Sequence, residues 1–299
     1  MFLYYDDFKE QSLHSARLLA KLKEDDIKCF VHEMKINDIK IFLGSEGRRG
    51  FESKKCALLD YLQWLFNTHN IDTVNLYQEV RCVTSKDINF EPFYFYSLQE
   101  FHRELDKAIE SAYISSEASG ENRDFDGFKA FCLCQWYGVT IDEFVSIHLY
   151  DVKGNEIYIP LTDRKIIVDD KTSEIINEYK NKIGIIITRG HMEYLRKYKQ
   201  NTLYRTISNS DVTKKTIENI RAIFIMHYKD SRFAKGRIFY SGRYEKLLEI
   251  ENQLNRDLTL EDVDIVKQVF RRENIAIRVV IQDYEKYKEY RENWLLQNN

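Results

Sequence analysis

A chain of 299 residues is long for a single core and sufficient for two domains, and 43% hydrophobic against 31% charged residues is the balance of a folded rather than a disordered protein. No run approaches the roughly 20 apolar residues of a membrane span, and the opening Met1-Phe2-Leu3-Tyr4-Tyr5-Asp6-Asp7 lacks a basic leader start, so the expectation is a cytoplasmic protein without a membrane partner. The net charge of -3 hides segregation: residues 96–180 carry 9 basic and 17 acidic side chains, whereas residues 181–250 carry 15 basic and 6 acidic, the pattern of a chain with one positive face.

The first ninety residues read as short amphipathic helices over Phe8–Leu22, Ile36–Leu43 and Lys54–Phe66, the last with Leu58, Leu59, Leu62, Trp64 and Leu65 at helical intervals. Between the second and third lies Gly44-Ser45-Glu46-Gly47-Arg48-Arg49-Gly50, a loop by its glycines, and Ser53 is the expected N-cap ahead of Lys54 and Lys55. Periodicity fades from Val83 to Tyr96, where Pro92 and its aromatic neighbours predict a linker. The expected division is a helical domain over 1–88, a linker over 89–97 and a second domain over 98–299.

The second domain is expected to hold helices at Leu98–Ser111, Phe125–Tyr137 and Ile141–Ile147, and then a hairpin. Its strands are Glu156–Pro160 and Lys165–Val168, joined by the turn Leu161-Thr162-Asp163-Arg164. A helix follows over Thr172–Tyr179, then a short buried run over Ile183–Thr188. Helices at Lys214–Tyr228, Arg243–Asn255, Leu260–Phe270 and Tyr284–Leu296 alternate with basic connections. The five cysteines, Cys29, Cys56, Cys82, Cys132 and Cys134, are scattered without a CxxC pair; they predict buried thiols, with no disulfide framework, metal site or cofactor.

The patch Tyr137-Gly138-Val139-Thr140-Ile141-Asp142-Glu143-Phe144-Val145-Ser146-Ile147, followed by Asp151 and the Glu156–Pro160 strand, resembles the Gly-Leu-Arg-Ile-x-Glu-Leu-x-x-Leu motif of the tyrosine recombinases (phage integrases). That resemblance implies a mainly α fold over nearly the whole chain: a helical core-binding domain and a mostly helical catalytic-like domain with a small β-hairpin. Glycine, the aliphatics and Glu143 stand where the motif has them, but Thr140 occupies the position of the family's first catalytic arginine. A threonine hydroxyl is one neutral donor and cannot stand in for a guanidinium gripping phosphoryl oxygens; the expected loss is at least ~10²-fold in rate.

The family's His-x-Leu-Arg-His is matched only by Glu218-Asn219-Ile220-Arg221-Ala222, where the arginine survives and an acid replaces the histidine. The Leu-Gly-His position falls at Val269-Phe270-Arg271-Arg272, and the nucleophile position at Tyr284, in a chain with 20 tyrosines. The hairpin lysine of the family corresponds to Lys165 or Arg164. No catalytic residue is therefore expected.

The resemblance implies double-stranded DNA as the partner, held without cutting. Among degenerate members the chain is similar to the integrase-like master repressors of temperate Bacillus phages, which implies a transcriptional repressor that maintains lysogeny. In this reading Arg48, Arg49, Lys54 and Lys55 bring the first domain to the duplex. Arg164, Lys165, Lys214, Lys215, Arg221 and a basic loop with Arg232, Lys235, Arg237 and Arg243 bring the second. Alternatives are a divergent active recombinase, in which Arg164 or Arg189 replaces the missing arginine in space, and a protein-interaction module that kept the fold. The C-terminal helix, Tyr284–Leu296, could be exchanged between protomers or dock on its own chain.

Overall fold

The computed structural model describes residues 5–24, 36–44, 48–88, 93–119, 124–189, 192–234, 236–272 and 274–298. The chain is mainly α-helical with small antiparallel sheets, and it divides into two compact units, Met1–Phe93 and Tyr94–Asn299. Among the described residues no helix is long and apolar enough to cross a membrane.

The first unit consists of α1 (Tyr5–Gln11), α2 (Leu13–Glu24), α3 (Ile36–Gly44), α4 (Arg48–His69) and α5 (Val74–Cys82). In α4, Phe51, Leu58, Tyr61, Leu62 and Leu65 lie at helical intervals and form one buried face, on which Phe8, Ala16, Leu19 and Leu43 pack. Phe8 meets the rings of Tyr61 and Trp64 at 5.1 and 5.3 Å. Two expectations are corrected. The helix expected from Lys54 starts six residues earlier, so Ser53 lies inside it rather than capping it. Lys54 is on the buried face: its ammonium reaches the Phe42 carbonyl at 3.3 Å and sits 4.9 Å over that ring, so it braces α3 against α4.

The second unit begins where the linker was expected to continue, because Tyr94, Phe95 and Tyr96 are all buried. It contains α6 (Leu98–Ala118), α7 (Asp126–Trp136) and α8 (Ile141–Phe144), then β1 (Val152–Lys153), β2 (Glu156–Ile159) and β3 (Arg164–Ile167). The remaining elements are α9 (Asp170–Asn181), β4 (Gly184–Arg189), β5 (Met192–Lys197), α10 (Lys214–His227), α11 (Arg237–Leu254), α12 (Val263–Phe270) and α13 (Ile277–Asn298). All but one of the residues from Gly127 to Trp136 are buried, which makes α7 the central helix of the unit. Gly242 of α11 lets that helix press on the end of α7: a Cβ there would fall 2.0 Å from the Trp136 carbonyl oxygen.

The sheet runs β1-β2-β3, all antiparallel, with Ile157↔Ile166 and Ile159↔Arg164 among the paired residues. The tight turn between β2 and β3 passes through Asp163 in the left-handed region, φ 46°.

Three further expectations are corrected. The run Ile183–Thr188 belongs to β4 of a separate ribbon with β5, and Ile186 is 64% exposed because a two-stranded ribbon has no second layer to cover both faces. The stretch expected as a basic loop up to Arg243 is helical from Arg237. Cys132 and Cys134 are buried, as expected, and burial pushes both thiols up, but Cys56 and Cys82 are exposed, having fallen on the outer faces of α4 and α5. Cys29 lies outside the described residues. The tyrosine face of α13 docks on its own chain, with the Tyr287 and Tyr290 rings 6.1 and 5.2 Å from Tyr244 of α11.

Candidate nucleic-acid interface

The site grows from the end of α7. Helix α7 stops because Gly138 takes φ 78°, a value glycine adopts without strain, and the N–H groups of Gly138 and Val139 bond back to the Gln135 and Cys134 carbonyls at 3.0 and 3.1 Å. The chain then re-enters a helix through a capping box. The Glu143 N–H donates to the Thr140 hydroxyl at 3.3 Å and the Thr140 N–H donates to the Glu143 carboxylate at 2.7 Å. Thr140 is therefore a helix cap, exposed at the edge of the site. Glu143 is turned inward, with 3% of its side chain exposed.

Three arginines from three distant elements converge on this corner. Arg164, at the start of β3, donates from Nε and one terminal nitrogen to Glu143 at 3.0 and 3.1 Å. Arg271, just after α12, donates to both Glu143 oxygens at 2.8 and 3.3 Å. The Gly138 carbonyl oxygen accepts from Arg164 at 3.1 Å, from Arg243 of α11 at 3.2 Å and from Arg271 at 2.6 Å. The Thr162 hydroxyl adds a further bond to Glu143 at 2.9 Å.

Charge is unbalanced here. Three guanidinium groups surround one carboxylate, which leaves two positive charges in excess on half-buried side chains. Burial opposes the ionisation of Glu143, but hydrogen bonds from Arg271, Arg164 and the Thr140 N–H outweigh it and hold the carboxyl well below the usual range. Arg243 is pushed down to about 9, first by burial and then by the charges of Arg271 and Arg164. The Nε atoms of Arg243 and Arg271 are buried without a hydrogen-bond partner. Arg271 also holds a left-handed backbone, φ 53°, which costs a side-chain-bearing residue roughly 1 kcal/mol. The excess positive charge lies at a partly open corner, where the Arg164 and Arg271 side chains remain 20% and 30% exposed.

The other expected contacts are dispersed. Arg221 is 6% exposed and lies 5.3 Å over the Phe131 ring in the core, its guanidinium less willing to ionise because of burial. Glu218 is half-buried one turn earlier in α10. Arg232 is bound to Asp230 and Glu100, each at 2.8 Å, and rests 4.6 Å over the Phe95 ring; it ties the turn after α10 to α6 instead of presenting a cation. Arg237 opens α11 and bonds to the Ser231 carbonyl at 2.8 Å. Lys55 donates to the Val83 carbonyl at 2.6 Å.

Lys214 pairs with Asp142 at 3.3 Å, both exposed, exposed Lys165 pairs with half-buried Glu156 at 2.8 Å, and Lys215 is exposed beside Lys214. Lys214 thereby borders α8 and the arginine corner. Lys235 and the side chains of Arg48, Arg49 and Arg189 lie outside the described residues. Tyr284, at the nucleophile position, is 6% exposed and its hydroxyl donates to the Leu258 carbonyl at 2.8 Å.

Arg221 and Arg243 were both expected on phosphate; Arg221 lies in the core, and it is Arg243 that joins Arg164 and Arg271. Glu143, read only as a motif position, is the hub of the site. The chain matches no protein-family model, and no curated protein matches it.

Proposed function

We propose that the second unit binds double-stranded DNA by seating a backbone phosphate at the Arg164–Arg243–Arg271 corner, and that it does so without cutting the strand. The observation that carries this reading is the charge imbalance: two guanidiniums share one buried carboxylate and a third joins them on one carbonyl oxygen, with two guanidinium nitrogens unsatisfied. A phosphate bound there would exchange crowded like charges for charge-assisted hydrogen bonds. The absence of cutting is supported by Thr140 acting as a cap and by Tyr284 giving its hydroxyl to a backbone carbonyl within the packing. Sequence-specific repression of transcription is the role that accords with binding alone, and it rests on the resemblance of the Tyr137–Ile147 patch to the integrase family. One observation favours a residual recombinase instead: Arg164 stands beside Thr140 with its guanidinium on Gly138, where a missing arginine could be replaced.

The test is selection of bound duplexes from genomic DNA, followed by titration against salt and incubation with a nicked suicide version of the recovered site. The expected result is affinity that falls steeply with salt, by about 0.9 in log K per log unit of salt for each phosphate neutralised, and no covalent adduct. An adduct through Tyr284 would establish the recombinase. No retention of DNA at low salt would overturn both readings.

A further inference from the structure

The β4–β5 ribbon plays no part in the arginine corner. Its strands pair over six residues each, from Gly184↔Lys197 to Arg189↔Met192, and its base is tied to the unit by the Lys182–Asp126 ion pair and the Tyr198–Asp124 hydrogen bond. Gly184 and Ile187 of β4 are buried, whereas every residue of β5 is exposed. Directly paired residues share a face, so Ile186 and Leu195, 64% and 50% exposed, form an apolar pair on one side. Glu193 and Lys197 flank Leu195 on that same side, two residues before it and two after. Among the described residues the β5 backbone bonds only to β4, which leaves its outer row of N–H and C=O groups as an open edge.

Edges that must stay single are commonly blunted by proline or by charges that repel a second strand. β5 has no proline, and its charges on the Leu195 face are opposite in sign and symmetric about Leu195. We propose that β5 pairs antiparallel with β5 of a second copy of this chain, about a two-fold axis at Leu195, to make a four-stranded sheet. Such an axis, normal to the sheet, requires one residue to face itself, because paired residues share a face and chain neighbours do not. With Leu195 at the centre, Glu193 of each copy faces Lys197 of the other, and Tyr194 faces Arg196. Ile186 and Leu195 of both copies then align in one apolar row across the four strands. Centring on Glu193 or Arg196 sets a like charge against itself, and centring on Tyr194 leaves Glu193 opposite Leu195. The Leu195 register alone pairs both charges of that face.

Six-residue edges bury less than a standard interface, so the full-length chain should dimerise in the micromolar range, read by sedimentation across concentration. Glu193→Lys and Lys197→Glu each place like charges opposite one another at both ends of the pairing and should each weaken the dimer by at least about tenfold. The two single variants mixed together regain both opposite-charge pairs and should associate like the wild type, as should the chain carrying both changes. Both positions are exposed, and circular dichroism establishes that each variant is folded. The proposal is overturned by a chain that is monomeric at all concentrations, by a dimer indifferent to the single reversals, or by weakened singles that neither combination restores.

Discussion

Arg232 and Arg243 lie in the same basic stretch, both were expected to touch phosphate, and the fold gives them opposite surroundings. Around Arg232, Asp230, Glu100 and Glu104 all lie within 3.8 Å, so although burial works against its charge the carboxylates more than offset it and its pKa rises. Arg243 is more deeply buried and its nearest charges are mostly other arginines, so its pKa falls, first through burial and then through those charges. The difference teaches that a run of basic residues says little about binding until the local count of opposite charge is known. An over-neutralised arginine holds the protein together, and an under-neutralised one is where the proposed phosphate would gain most.

That contrast can be broken most forcefully at Arg232. Arg232→Ala leaves three half-buried carboxylates without their cation and should cost about 2 kcal/mol in stability by denaturant titration, while DNA affinity per folded molecule stays unchanged. A loss of affinity with stability intact would invert the comparison. Arg271→Gln should do the opposite. Glu143 keeps Arg164, so the fold persists, and duplex affinity should drop about tenfold or more, with the salt slope shallower by about 1.

Glu143→Gln sharpens the contrast from the acidic side. The folded carboxyl ionises below its ordinary range, so its stabilising contribution is complete above about pH 5 and is lost as the pH falls through the depressed folded value. The gap in unfolding midpoint between wild type and Glu143→Gln should therefore be largest at neutral pH and shrink in acid; a gap that grows in acid would contradict the charge assignment. The smallest effect is expected at Tyr284→Phe, which removes one hydrogen bond worth about 1 kcal/mol and should leave DNA affinity untouched.

Much of the fold was legible locally. The α4 repeat, the glycine stop at Gly138 and the β2–β3 hairpin are each written in neighbouring residues, because helix and strand periods and a left-handed stop are short-range properties. Helix starts were less legible: α4 begins at Arg48-Arg49-Gly50 and α11 at Arg237, where glycine and charge had signalled a loop and packing overrode propensity. Of the candidate site, Thr140, Arg164, Arg243 and Arg271 were all named, but Lys54, Arg221 and Arg232 were named with them, and no local pattern distinguishes the groups.

The sequence by itself determined that the chain is mainly helical, that a threonine follows Gly138-Val139 at the start of a short helix, and that basic residues crowd positions 181–250. Only the tertiary structure decided which of those arginines meet. Arg271 reaches Gly138 from 133 positions away, and Arg243 reaches it from 105. The balance between burial and neighbouring charge depends on distances in space of a few ångströms, which separation along the chain does not report.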